Sequence, residues 1–267
     1  MKKFLYISVM CVLMLSISGC TVARFEPMDE AKQKEENKNM LTTLSQPVDP
    51  LEMQAEDLKL EEKLDTNFGI TLATYTAAAP QFKTDGAKST VFTKINEFYT
   101  QEFAAFNQDS QRFFNIVKQQ TGAKWADVKV ALPVQSCAFS YELLKGTDKT
   151  IAVLRSYIND DGKGNVINYY FADAFDNETG WKLKFDDIFV KDAPGAREML
   201  LTKISEWCET QKLMYDGLSS LSDDQLLGEI AVDKSELVVC LEPFALSADD
   251  GLGRVIRLPM SDFEKFK

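Results

Sequence analysis

The sequence predicts an α+β fold in which an antiparallel sheet is packed by a long N-terminal helix and by a second helix. The first observation is a succession of strand-like runs and turns over residues 149–185, which form a central meander. The second is a stripe of aromatic residues at helical spacing over residues 89–120. The third is a separate helical pattern over residues 194–211. Antiparallel strands with two separated helices argue against a doubly wound parallel sheet.

Residues 1–19 have the pattern of an export signal. Lys2 and Lys3 are followed by an apolar run, and small residues stand just before Cys20. The pattern resembles the bacterial lipoprotein signal, in which cleavage precedes the cysteine and diacylglycerol is attached to its sulfur. The alternatives are an ordinary secretory signal and a short membrane anchor. With Cys20 lipidated, acyl chains such as palmitate hold the protein on the extracytoplasmic side of a membrane, the outer one where a cell has two.

Residues 20–66 are predicted to form an acidic, flexible tether. Positions 21–66 contain 6 basic and 12 acidic residues and no glycine, with few large apolar groups. A segment of this composition cannot bury enough apolar surface to fold alone. We expect it to act as a spacer between the lipid and the folded part of the chain.

An N-terminal subdomain is predicted over residues 67–145. It begins with a strand, Gly69 to Thr76, and continues into the long helix. Apolar residues recur along this helix at core spacing, and we interpret them as packed against a sheet: Phe92, Ile95, Phe98 or Tyr99, Phe103, Phe106, Phe113 or Phe114, and Val117. Asp127 to Leu144 follows as a strand pair or as one long bent strand interrupted at Pro133.

A C-terminal subdomain is predicted over residues 146–267, beginning with the meander. Thr150 to Ile158 is apolar at both odd and even positions, as expected for a strand that is covered on both faces. A turn rich in Asp, Gly and Asn separates it from an aromatic and β-branched strand, Val166 to Phe175. A third strand is predicted from 181 to 185, where apolar and charged residues alternate.

The rest of the chain is predicted to add a helix and two strands. Pro194 starts the second helix, which runs to about Gln211, and a brief helix follows over Ser222 to Gly228. Two more strands, Glu236 to Pro243 and Gly253 to Pro259, then close the domain.

The charge balance limits the classes of partner and of chemistry. The net charge of −11 should repel nucleic acid and anionic lipid surfaces, whereas a basic protein would be attracted. The chain contains no histidine, which removes Ser-His-Asp and Cys-His nucleophile pairs and histidine-bearing zinc sites. A two-carboxylate glycan hydrolase remains an alternative, although the sequence singles out no pair of acids. We expect no metal and no cofactor.

Three cysteines remain after the signal and the lipidated position: Cys137, Cys208 and Cys240. One disulfide with one remaining thiol is an option for this odd number in an exported chain. The other option is that all three are small core hydrophobes, since two lie in strand-like runs and one in a helical run.

Several segments resemble a known extracytoplasmic module when they are taken in order. They are the Ala-Pro-Gln-Phe segment at 79–82, the helix with Ile95-Asn96, the run Asn177 to Phe189 (NETGWKLKFDDIF), and the run Leu237 to Met260. The chain from Thr71 to Phe266 resembles the paired domains of unknown function in RsiV-type lysozyme-sensing anti-sigma factors and in some peptidoglycan deacetylases. Members of that family often carry a Gly-Gly-Ala-His-type loop, where this chain has Asp160 to Asn165. We expect no sigma-binding part and no deacetylase domain here, so the resemblance implies the outward-facing binding module alone.

The sequence therefore predicts a non-catalytic envelope lipoprotein that binds cell-wall glycan (peptidoglycan) or a basic protein such as lysozyme. A structural lipoprotein that docks to another envelope protein is the alternative, and the oligomeric state is left open. The expected binding surface is the mouth of the meander, where aromatic residues and carboxylates combine: Tyr157, Asp160, Asp161, Asn165, Tyr169 and Trp181. The competing interpretation is that these aromatic residues are core and that the acids solvate a loop.

Overall fold

The structure, a computed structural model, describes residues 54–86, 88–247 and 251–267. The signal, Cys20 and most of the predicted tether lie outside the described residues. Within the described residues, no helix has the length and apolar character needed to span a membrane.

The described chain contains eight strands and four α-helices. The strands are β1 (Leu58–Asp65), β2 (Thr71–Ala79), β3 (Gln135–Leu144), β4 (Thr150–Asp160), β5 (Val166–Asp176), β6 (Ile230–Asp233), β7 (Glu236–Leu241) and β8 (Arg254–Pro259). The helices are α1 (Ser89–Thr121), α2 (Phe185–Ile188), α3 (Ala193–Gln211) and α4 (Asp223–Leu227). Short 3-10 turns occupy Trp125–Asp127, Leu218–Ser220 and Met260–Phe266. The α+β class and both predicted long helices are confirmed.

The larger sheet has five strands in the order β1-β2-β3-β4-β5. Neighbouring strands are antiparallel except β2 and β3, which are parallel and are connected through α1. The sheet is therefore mixed, because a parallel pair needs a long crossover and α1 provides it. β3 and β4 are hydrogen-bonded neighbours, so one sheet continues across the boundary predicted between residues 145 and 146.

One face of this sheet is packed by α1, whose aromatic stripe is buried as predicted. The buried residues of α1 are Val91, Phe92, Ile95, Tyr99, Phe106, Ser110, Phe113, Phe114 and Val117. They pack against alternate residues of the strands, such as Tyr75 in β2 and Phe175 in β5. Because side chains alternate across a strand, the residues between them point to the opposite face of the sheet.

A three-stranded antiparallel sheet, in the order β6-β7-β8, packs on part of that opposite face. Ala152 of β4 and Ala172 of β5 meet Val238 and Cys240 of β7 in this layer. The other face of the small sheet is covered by α3, whose Leu200 and Ile204 are fully buried. The apolar character of β4 on both faces follows from this, because α1 lies on one face and the small sheet on the other.

The expected third strand of the meander is wrong. Lys182 forms a single bridge with Phe175, and the chain then turns into α2. The backbone N–H of Lys184 donates to the Asp187 carboxylate at 2.9 Å, which caps the first turn of this helix. Capping by Asp187 therefore favours a helix here over the strand that the alternation of apolar and charged residues indicates.

The strand β1 lies inside the range predicted as tether. Its leucines at 58, 60 and 64 share the core side of the strand with Glu62, whose Oε2 is buried, while Lys59, Glu61 and Lys63 face solvent. An edge strand with charges on its solvent-facing side has the same composition as a solvated segment. Composition alone therefore predicts the end of the tether too late in the chain.

Cys137, Cys208 and Cys240 are buried thiols. Cys137 lies under α1, Cys208 lies under the small sheet, and Cys240 lies between the two sheets. This arrangement agrees with the interpretation of the three cysteines as core hydrophobes.

Candidate binding surface

Several connections meet at one end of the five-stranded sheet, which we call the loop end (residues 66–70, 122–134, 161–165 and 251–253). The β1–β2 turn contacts the α1–β3 connection, because the Asn67 N–H donates to the carbonyl of Ala126 at 2.8 Å. The β4–β5 turn lies against the same connection, since a Cβ on Gly162 would stand 2.5 Å from the carbonyl oxygen of Val134. The Gly253 N–H donates to the carbonyl of Asn168 at 3.0 Å, which brings the fourth segment to β5.

Most of the exposed large apolar side chains of the described residues lie at or beside the loop end. Eight of ten are Phe68, Val130, Leu132, Val134, Ile158, Val166, Phe244 and Leu252; the others are Val190 and Met214. Val130 is 66% exposed and Phe68 is 53% exposed. A concentration of exposed apolar side chains in a few neighbouring segments marks an interaction site more often than scattered single residues do.

Two carboxylates of the predicted site lie at the loop end, where both accept hydrogen bonds within the β4–β5 turn, and Lys124, Lys129 and Lys163 lie in the same segments. Asp160 accepts from the backbone N–H of Gly162 at 2.7 Å, and Asp161 accepts from the Asn165 side-chain amide at 2.6 Å. Partial burial of Asp161 opposes its ionisation, but hydrogen bonds from Asn165 and from the backbone of Lys163 outweigh burial and lower the pKa of this carboxyl. Both carboxyl groups are therefore held in fixed positions by hydrogen bonds of the turn.

Tyr157 and Tyr169 lie directly behind the turn, as a cross-strand pair of β4 and β5. Their ring centroids are 5.8 Å apart, and the ring of Tyr157 lies 4.5 Å from that of Phe139. Burial raises the pKa of both phenols above the ordinary value. Both tyrosines are half-buried, so they support the loop end from behind and expose only part of each ring.

Trp181 is not part of the loop end. The Asp176 N–H donates to its carbonyl at 2.9 Å, which places Trp181 beyond the far end of β5. The 11 residues of β5 span about 35 Å, so Trp181 is remote from Asp160 and Asp161. Its ring lies under the Lys94 ammonium at 4.3 Å, and its buried Nε1 meets no hydrogen-bond acceptor among the described residues.

Sequence reasoning missed a buried ionic cluster between the sheet and α1. The Asp173 carboxylate, which is 0% exposed, accepts from Arg155 Nε at 2.6 Å and from Tyr99 at 3.0 Å. The Lys182 ammonium lies 2.7 Å from the same carboxylate, and Glu102 binds the outer side of Arg155 at 2.9 Å. The available sequence signal for this cluster was one acid, Asp173, and one arginine, Arg155. Each is alone in an apolar strand run, at a position that faces α1.

The charges of this cluster determine its protonation. Burial alone would raise the pKa of Asp173, but Arg155 and Lys182 outweigh burial and hold that pKa well below its usual range. Asp173 is fully enclosed and is committed to these hydrogen bonds, so it is not available to a substrate. The cluster acts as a structural brace between β4, β5 and α1.

Glu229, just before β6, is a carboxyl group whose pKa is raised, in contrast to that of Asp173. Burial raises its pKa to about 7, although Lys182 pulls the pKa down. Its Oε2 is buried and accepts no hydrogen bond within the described residues. Among these residues, no group of three or more acids or cysteines is arranged to hold a metal ion.

The chain is similar in fold to a solved structure of the DUF3298 family. A member of that family from Bacteroides fragilis NCTC 9343 matches with a TM-score of 0.53 and 13% identity, over 80% of this chain and 93% of that chain. A DUF3298 family protein from Pseudomonas aeruginosa PAO1 matches with a TM-score of 0.47 and 10% identity, over 78% and 90% of the two chains. No protein-family model matches the sequence, and no curated protein matches it.

Proposed function

We propose that this protein is a non-catalytic, lipid-anchored envelope protein whose loop end binds a basic protein such as lysozyme. The observation that carries the proposal is the concentration of exposed apolar side chains at the loop end, beside the anionic groups Asp160 and Asp161. Protein interfaces combine such an apolar centre with a polar rim. The resemblance to the outer module of RsiV-type anti-sigma factors supports lysozyme as the first ligand to test.

The charge of the chain favours a basic partner. With 41 acidic and 30 basic residues, the protein attracts cationic proteins at long range and repels polyanions. Charge of this kind raises the association rate, while buried apolar contacts determine how long the complex lasts.

The proposal is tested by placing a charge in the apolar surface. We expect Leu132→Asp to weaken lysozyme binding by about tenfold or more, because it introduces a charge that would have to be desolvated in the interface. Met214→Asp is the matched control, because Met214 is also exposed and apolar but follows α3, outside the segments that form the loop end. Calorimetric titration of both variants gives the affinities. A wild-type protein that does not bind lysozyme, or equal losses in the two variants, would contradict the proposal.

The lipid anchor has a separate test. We expect Cys20→Ala to move the protein from the membrane fraction to the soluble fraction, because the sulfur of Cys20 is the proposed acylation site. Unchanged membrane association, or the absence of labelling by a palmitate analogue in the natural protein, would show that Cys20 is not the anchor.

A further inference from the structure

The solvent-facing side of α1 is almost uncharged. Thirteen residues of this helix are exposed, and ten of them are Thr, Asn or Gln; only Glu97 and Arg112 carry a charge. The exposed amides include Gln101, Asn107, Gln108, Gln111, Asn115 and Gln119. We call this surface the amide face. Exposed positions on α3, by contrast, include three glutamates among seven residues.

The other charges of α1 are turned to its flanks. Lys94 lies over the Trp181 ring at 4.3 Å, and Lys118 lies over the Trp125 ring at 4.9 Å. Glu102 is bound to Arg155, and Asp109 lies 3.6 Å from Arg112. These contacts leave a neutral strip on a protein whose overall charge is −11.

The amide face is long. The helix has 33 residues, which give it a length of about 50 Å. Gln101, Gln108 and Asn115 follow at intervals of seven residues, so they form one row along the axis. Two shallow depressions lie on this side of the helix, one beside Thr93 and Gln101 and the other between Gln108 and Gln119, and each includes one charged residue, Glu97 in the first and Arg112 in the second. The surface therefore suits an extended ligand better than a compact one.

The chemistry of the face selects the kind of ligand. Each amide offers two donors and a carbonyl acceptor, and each threonine hydroxyl can do both. A nucleic acid would need cations, and a protein partner would need apolar or aromatic anchors, neither of which this face offers in number. We propose that the amide face binds an extended, neutral glycan that carries hydroxyl and N-acetyl groups. This inference is independent of the loop end and of its protein ligand.

The experiment uses chitohexaose, a neutral N-acetylglucosamine oligomer, as the probe. The variant is Gln108→Ala with Gln111→Ala and Asn115→Ala, and it should remain folded because alanine favours an exposed helix. We expect the natural protein to bind the oligomer. The triple variant should bind it more weakly by at least about tenfold, because three hydrogen-bonding groups are removed. Gln211→Ala, on the exposed side of α3, is the control and should bind normally.

Two outcomes would overturn the inference: no binding of chitohexaose by the natural protein, or equal binding by the triple variant and the natural protein at unchanged thermal stability. Lysozyme binding is measured separately on the same variants. The triple variant should bind lysozyme normally, and Leu132→Asp should bind the oligomer normally. The two surfaces can therefore fail independently of each other.

Discussion

Asp173 and Asp223 each accept from an arginine Nε at 2.6 Å, but the first carboxylate is buried and the second is exposed. The Nε–oxygen distance is the same, but the surroundings differ. Burial makes the loss of a partner expensive, because the charges left behind have no water to solvate them. At the surface, water and salt replace the partner at little loss.

We therefore expect Asp173→Asn to lower the free energy of unfolding by about 3–5 kcal/mol, because Arg155 and Lys182 would keep their charges without a counter-ion. Asp223→Asn should change it by less than about 0.5 kcal/mol. Urea unfolding of the two variants gives both values. Similar losses at the two sites would show that the buried cluster does not brace the fold.

Glu229 gives a prediction about pH. Its pKa rises from 4.5 to about 7 on folding, so between these values the folded state binds more protons than the unfolded state. Stability should therefore fall as pH rises from about 5 to 7, with a slope of at most about 1.4 kcal/mol per pH unit. Asp173, whose pKa is lowered, acts in the opposite direction: its contribution is lost as pH falls below about 4.

Unfolding of Glu229→Gln across this range is the measurement. The variant should lose the decline between about pH 5 and 7, because glutamine does not titrate. Glu236→Gln, at an exposed pair with Arg257, should keep the decline. A decline of the same slope in Glu229→Gln would assign it to another group.

Gly180 shows how the elements fit together. Its φ is +76°, and a Cβ there would stand 2.7 Å from the carbonyl oxygen of Val91 in α1. Gly164 also has a positive φ, of +96°, but a Cβ there would meet open space. Substituting the two glycines therefore distinguishes the effect of backbone conformation from the effect of close packing, because only Gly180 lies against a helix.

We expect Gly164→Ala to destabilise by about 1 kcal/mol through backbone conformation alone. Gly180→Ala should cost about 2 kcal/mol or more, because α1 must also move away from the turn. Thermal unfolding checks both values. Equal losses would mean that α1 can shift freely at this end.

Much of the fold can be predicted from the sequence. The parts that cannot be predicted depend on which distant segments of the chain meet in space. The aromatic period of α1 and the runs of β4 and β5 are long and repeat one pattern, so periodicity suffices. The loop end could be predicted from the hairpin turn, but not the contribution of Val130 and Leu132, which depends on β2 and β3 being parallel. The grouping of Trp181 with Asp160 and Asp161 is wrong because the 11 residues of β5 lie between the hairpin turn and Trp181.

At the scale of the whole molecule, charge governs how partners approach. The range of the attraction that the net charge of −11 exerts becomes shorter as the salt concentration rises. We expect the association rate with lysozyme to fall steeply between about 0.05 and 0.5 M salt, while the dissociation rate changes little. Stopped-flow fluorescence separates the two rates. A salt-independent association rate would show that long-range attraction plays no part.

The parallel pairing of β2 with β3 has a consequence for how the chain assembles as it emerges N-terminus first. The hairpin of β1 and β2 is complete early, but a two-stranded ribbon is marginal in water. Its third neighbour arrives only after α1 and the connection behind it have been made. The strands therefore do not pair in the order in which they are synthesised. β2 can pair with β3 only after the middle of the chain has been made, and closing the long loop between these two strands should be the slow step.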